Sequence, residues 1–277
     1  MNTAVRGVDV WVARLDGAGI PVLKRTVREI ARLQADAENT EVRDVVDVLS
    51  HDPLMTLILL RYLQQHKRSS QLNEVVRIEQ VLMMLGLHTF FTQVAPQGIV
   101  EEHLKGKLFA LTGLLHAVKR ATRAAWYARD WAVRLKDLRF DEIRMVALMH
   151  NFAEILMWCH APEEMTRIHT LQMQDRTRRT REVQREVLGF RLADLQLELA
   201  RRWQLPELLI DFMQQNYSQE KRMRTIVLAI NLSRHAENGW NDAALPDDYR
   251  DIGELLHMTE EEAMIMVQGP QVAVPMH

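Results

Sequence analysis

The sequence predicts an all-α fold, and three observations carry the prediction. Apolar residues recur at i, i+3, i+4 and i+7 along nearly the whole chain, the spacing of one helical face. β-Branched residues fall on that same spacing rather than alternating. Glycine and proline number only 11 and 8 in 277 residues, which favours long helices over tight turns. No fixed-period repeat occurs, which argues against a solenoid.

Taken in order, Leu23, Val27 and Ile30 mark the first stripe. Thr40 is the expected N-cap of a helix carrying Val42, Val45, Val46 and Leu49. Asp52-Pro53 is a strong helix start, because the carboxylate can cap and proline loses nothing at the first helical position. Leu54, Leu57, Ile58 and Leu60 follow on that helix. Ile78, Val81, Leu82 and Leu85 form the next stripe, closed by Gly86 as an expected left-handed C-cap. The stretch from Pro96 to Gly106 reads as a junction. A long helix is expected from Leu111 to Leu135. Ala117, Ala121, Ala124, Ala128 and Ala132 line one face of it, and such small side chains let a neighbour approach closely. Asp141 to Trp158 reads as one buried helix. Arg181 to Trp203 is amphipathic with a break at Gly189, and Leu205-Pro206 opens the next helix. Thr225 to His235 is another, Asn238-Gly239 a turn, and a last helix starts near Thr259 with Glu260, Glu261 and Glu262 at its positive end. The Val272–Pro275 tail is too short to build a sheet.

At about 150 residues per domain the length allows one large domain or two small ones. Apolar residues are 47% and charged residues 26%, enough to build a core. The formal net charge of −2 gives no global support for nucleic-acid or anionic-membrane binding. A single cysteine, Cys159, excludes an intramolecular disulfide and a four-cysteine zinc site. No apolar run of about 18 residues occurs, so no membrane-spanning helix is expected. Residues 1 to 20 carry Asp9, Arg14 and Asp16 and do not read as a signal peptide, so the expected location is cytoplasmic.

Several short segments, in order, resemble the HDOD family, the HD-related output domains of bacterial signalling proteins. They are His51-Asp52-Pro53-Leu54 with Leu59-Leu60-Arg61, Val76 to Gly86, Val146-Ala147-Leu148-Met149-His150-Asn151-Phe152, Trp203-Gln204-Leu205-Pro206, and Val227 to Asn231. The resemblance implies an N-terminal segment (1–19), an N-terminal helical lobe (20–98), an HD-like five-helix core (99–235) and an acidic C-terminal extension with a short helix (236–277). It also implies an output or scaffolding role.

Active HD enzymes hold a divalent ion with His, His-Asp and Asp, which activates water for attack on a phosphoester. The resemblance places His116 and His150 at the two histidine positions, and Asn151 and Asn231 where the carboxylates belong. Both carboxylates have become amides, which bring no negative charge to a +2 ion. Gln214-Gln215-Asn216 stands where the family often has His-His, and Phe190, Arg191 or Leu192 where a further histidine is expected. On its own residues, His150 shares a face with Val146, Ala153 and Met157 and reads as a buried neutral histidine. His116 has Lys119, Arg120 and Arg123 nearby and reads as wet on one edge. Asn151 and Asn231 are candidates to hydrogen-bond across the former site.

Other features admit two readings each. Arg167, Arg176, Arg178, Arg179, Arg181 and Arg185 face only Asp175 and Glu182 in their stretch. They are either an anion, nucleotide or acidic-partner site or a solvated loop and helix start. No aromatic residue interleaves them, which disfavours single-strand nucleic-acid binding. Glu237 to Glu262 holds nine acids against Arg250, either a docking tail or a solubilising surface. Trp126, Tyr127 and Trp131 read as a pocket or as core. The methionines, among them Met83, Met84, Met145, Met149 and Met157, read as a partner groove or as core filler. Cys159 has no orienting partner beside it and reads as inert. No glycine-rich phosphate loop or Gly-Tyr-Pro signature occurs.

The expectation is therefore a non-catalytic signalling module without cofactor that acts by binding other signalling proteins. The alternatives are a degenerate metal-dependent phosphohydrolase and a nucleotide-sensing domain.

Overall fold

The computed structural model describes residues 7–66, 77–94, 96–175, 177–214 and 221–269. Among them the fold is all-α, with one isolated parallel bridge between Val22 and Ile99. The chain divides into two compact units, Met1–Lys119 with Met149–Asn216, and Arg120–Leu148 with Tyr217–His277.

The first unit opens with α1 (Val8–Gly17), α2 (Lys24–Ala35), α3 (Val42–Leu49) and α4 (Pro53–His66), then α5 (Ile78–Leu85), α6 (Leu87–Gln93) and α7 (Val100–His103). Val22, Ile30, Leu33, Val45, Leu49, Met55 and Phe90 are among the buried side chains of its core. The Asp52-Pro53 start is as the sequence predicts. Asp52 Oδ1 accepts the amide N–H groups of Leu54 (2.9 Å) and Met55 (3.2 Å), capping α4 from a fully buried position. Burial pushes this carboxyl up, while the hydrogen bonds from Thr26, Met55, Leu54 and Leu23 oppose the shift.

Thr40 does not cap α3. Its hydroxyl donates to the carbonyls of Leu33 and Asp36, both at 2.9 Å, and so finishes α2. The N-cap of α3 is Glu41, in a capping box with Asp44. Gly86 does have positive φ (77°), but its ψ of 147° is extended rather than left-handed, and it joins α5 directly to α6. Pro96 to Gly106 is tied to the start of α2. The Ile20 amide donates to Gln97 Oε1 (3.1 Å), the Val100 amide to the Val22 carbonyl (3.0 Å) and the Lys24 amide to Glu101 Oε2 (2.9 Å). The Val76 end of the second motif, Gln215, Asn216 and the Val272–Pro275 tail lie outside the described residues.

The long helix α8 (Leu108–Arg134) contributes to both units and starts one turn earlier than its periodicity predicts. Its five-alanine face is buried throughout, as expected. Gly113 continues that face, and a β-carbon there would meet the Trp158 ring at 2.6 Å.

The helix expected from Asp141 to Trp158 is two helices, α9 (Phe140–Met149) and α10 (Phe152–His160). The break falls at His150-Asn151, where Gln196 supplies hydrogen bonds to both loose ends: it donates to the His150 carbonyl (2.6 Å) and accepts the Ala153 amide (3.3 Å). The first unit continues with α11 (Pro162–Gln174), α12 (Thr180–Leu188), α13 (Leu192–Arg202) and α14 (Glu207–Met213). Gly189 ends α12 in the left-handed conformation that a non-glycine residue would resist.

The second unit takes α9, the later part of α8, and α15 (Lys221–His235), α16 (Leu245–Leu256) and α17 (Glu260–Gln268). The last helix starts beside Thr259, as the sequence predicts, and Thr259 caps it in a capping box with Glu262.

Candidate functional site

His116 lies on the exposed side of α8, and its chain neighbour Ala117 is buried on the inner side. Asn151 is 8% exposed at the N-terminal end of α10. Its side-chain amide donates to the Ala117 carbonyl (3.2 Å) and, at longer range, to Glu154 Oε2 (3.4 Å). Fold and resemblance thus bring the Asn151 position against the backbone beside His116. The Asn151 Oδ1 atom is buried and has no hydrogen-bond partner.

His150 corrects its expectation. It is half-buried in the turn between α9 and α10 rather than sealed inside a helix, because the chain breaks there. Val146, Ala153 and Met157 around it are buried.

Asn231 belongs to the second unit. It is half-buried on α15, and its oxygen accepts from Arg234 Nη2 (3.3 Å). Each amide therefore has a local partner of its own. The four residues carried over by the resemblance are two imidazoles and two amides, which bring no anionic oxygen of their own, and the carboxylate beside Asn151 is that of Glu154 (3.4 Å). Among the described residues no three His, Cys, Asp or Glu side chains group as a metal-holding set.

Beside Asn231 stands an arrangement the sequence reading missed. Arg234 also donates to His235 Nε2 (3.1 Å), and His235 Nδ1 lies 2.6 Å from Asp248 Oδ2. Arginine can only donate, so the ring proton sits on Nδ1, facing the carboxylate. Burial pushes the Asp248 carboxyl up, against the pull of His235. The acids of the C-terminal extension have similar partners. Glu237 pairs with Arg120 (2.9 Å) and Glu254 with Arg224 (2.6 Å).

The basic stretch is dispersed. Arg176 lies outside the described residues. Arg178 pairs with Glu186. Arg179 precedes α12, and Arg181 and Arg185 are exposed on it.

Two of the recognised motifs meet. The Arg61 guanidinium stacks 4.2 Å over the Trp203 ring, and both reach Asp16 of α1. Trp203 Nε1 donates to Asp16 Oδ1 (2.7 Å) and Arg202 Nε to Oδ2 (2.6 Å). Burial raises the Asp16 carboxyl, but these bonds and the Arg202 and Arg61 charges outweigh it and hold the group below its ordinary range. No local pattern marks Asp16, since its partners lie far along the chain.

Tyr127 and Trp131 are core, while Trp126 keeps an exposed face. Met145, Met149 and Met157 are buried, but Met83 and Met84 are exposed. Cys159 is buried, and burial together with the Asp52 charge pushes its thiol far up, out of the reactive range.

The model of the HDOD domain matches residues 20–219. No curated protein matches the chain. A virulence factor from Campylobacter jejuni shares the fold with a TM-score of 0.67 at 17% identity, over 95% of this chain and 92% of that one. The MmoQ response regulator from Methylococcus capsulatus does so with a TM-score of 0.60 at 17% identity, over 86% of this chain and 98% of that one. Among the described residues no helix is long and apolar enough to cross a membrane.

Proposed function

The chain belongs to the HDOD domain family, and from that premise we propose that it is a non-catalytic signalling module that works by binding other proteins. The observation that carries this reading is Asn151. Where an HD enzyme needs an anionic ligand this chain has a buried neutral amide, with its N–H held by the Ala117 carbonyl. A neutral amide at that position brings less charge with which to hold a cation and ionise water, which supports the non-catalytic reading. The fold likeness to a chain described as a response regulator supports the signalling half of the proposal.

The start of α8 is the proposed partner-facing surface. Leu108 (75% exposed) and Leu115 (42%) lie at i and i+7 on one face, with Phe109 next to them. Phe109 meets His169 of α11 edge-on, with ring centroids 5.3 Å apart. Apolar groups exposed together in this way mark interaction surfaces.

Affinity purification from the native host cells, with Leu108→Glu/Leu115→Glu as control, tests the reading. A partner held by the wild type and lost by that variant is expected, with no stoichiometric metal in the purified protein. A stoichiometric divalent metal that His116→Ala removes, together with turnover of a phosphate ester, would overturn it.

A further inference from the structure

The second unit contains a cleft of about 430 Å³ between the end of α8, the start of α9 and the start of α15. Four cations line it, Lys136, Arg139, Lys221 and Arg222, against one carboxylate, Asp137. In a chain whose net charge is −2, that is a local concentration of positive charge. The apolar part of the wall includes Leu135 and Ile143.

Three features define the charge in the cleft. Lys136 closes α8 in the left-handed region (φ 56°), where glycine is the favoured residue. The turn is well formed, with the Asp137 amide donating to the Ala132 carbonyl (2.9 Å) and the Lys136 amide to the Val133 carbonyl (3.0 Å). A lysine there carries a small backbone penalty relative to glycine, as Gln204 (φ 51°) and His257 (φ 60°) do elsewhere in the chain. The 15-residue helix α15 begins with Lys221 and Arg222 and has no acid in its first turn. Two cations at the positive end of a helix add to its field, which favours an anion nearby. Finally, Asp137 is committed to holding the site together. Its Oδ2 accepts from Arg222 Nε (2.7 Å) and its Oδ1 from the Arg139 amide (2.9 Å). It fixes one guanidinium and the turn, and leaves the other cations facing the cleft. Among the described residues, Lys136 and Lys221 make no ion pair, and Arg139 only a long one of 3.9 Å to Glu142.

We propose that this cleft binds a small phosphate ester, its phosphate held by Lys136, Arg139 and Lys221 and its organic part resting on Leu135 and Ile143. The volume suits a ligand of nucleoside monophosphate or sugar phosphate size. The site uses none of His116, His150, Asn151 or Asn231, so it stands or falls apart from the reading of those residues.

Isothermal titration of the full chain with inorganic phosphate, AMP and glucose 6-phosphate tests the proposal. The expected result is saturable one-to-one binding of at least one ester, tenfold or more tighter than phosphate alone and weakening as salt rises. The ester that binds more tightly identifies the source as nucleoside or sugar. Lys136→Gly should raise the Tm of the free protein, because it relieves the strained turn, yet weaken the ester fivefold or more. Lys221→Ala should weaken it similarly without that gain in Tm. Absence of saturable binding by either ester at millimolar concentration overturns the proposal. So does phosphate binding as tightly as the esters, or affinity unchanged in both variants.

Discussion

Gln196 bridges the break at His150, donating to the His150 carbonyl at 2.6 Å while its side-chain oxygen accepts the Ala153 amide at 3.3 Å. One side chain on α13 thereby serves the last turn of α9 and the first turn of α10. Replacement by Leu keeps the volume but leaves both backbone groups unpaired in a largely buried place. A loss of about 2 kcal/mol in unfolding free energy is expected, with Gln196→Glu also destabilising because it lacks the N–H donor. Chemical denaturation measures both. A Gln196→Leu variant as stable as the wild type would show that water replaces the clamp.

That clamp also shows where sequence reading stops. Asp52-Pro53, Thr259 with its glutamates, and the alanine face of α8 are legible because cap, dipole and periodicity all act within a few residues. The break at His150-Asn151 is not, because its cause lies 46 residues away. The apolar spacing continues across it, so periodicity alone predicts one helix. Thr40 misleads for a related reason: a hydroxyl between two helices can finish the first as readily as start the second. The candidate site divides in the same way. Asn151 was visible as a residue type, but its bond to the Ala117 carbonyl was not. The Asp16–Arg61–Trp203 joint and the lysine-lined cleft are assembled only by tertiary packing.

Gly113 is expected to resist substitution although it sits inside a helix. Alanine there would gain about 1 kcal/mol of helix propensity. Its β-carbon, however, would stand 2.6 Å from Trp158, a ring that is itself buried. Overpacking of that kind costs about 1–3 kcal/mol, so Gly113→Ala should destabilise on balance. The atoms in the way belong to the outer part of the indole, which phenylalanine lacks. In a Trp158→Phe background the same substitution should become neutral or stabilising, and a double-mutant cycle by thermal denaturation reads the coupling. Additive effects would mean that the helices separate instead.

His160 makes stability depend on pH. Burial, then the neighbouring His103 and Arg14 charges, lower its pKa from 6.5 to about 4, against a hydrogen bond to the Gly19 backbone that favours the charged ring. The folded state therefore binds the proton less readily than the unfolded chain does. Stability is full above the unfolded value and falls as the pH drops through 6.5 towards 4. Between pH 7 and 5 the loss from this group should be about 2 kcal/mol. His160→Gln should flatten that part of the curve in urea titrations. An unchanged slope in the variant would remove His160 as the cause.

A carboxylate placed at position 151 should not create a metal site. Asn151 meets the Ala117 carbonyl with a donor at 3.2 Å. An aspartate there would set an acceptor against an acceptor unless it keeps its proton, so its folded pKa should rise above the unfolded value of about 3.9. A raised carboxyl pKa contributes stability at low pH that is lost as the pH rises through it. Asn151→Asp should therefore match the wild type most closely near pH 4 and fall about 2 kcal/mol behind it at pH 7. Added Mn²⁺ should recover none of that difference, because a carboxylate set against the Ala117 carbonyl is accommodated by its proton rather than by a cation. Denaturant curves at both pH values, with and without the metal, decide it. Recovery with Mn²⁺ at pH 7 would mean that a single substitution separates this chain from a cation-binding relative.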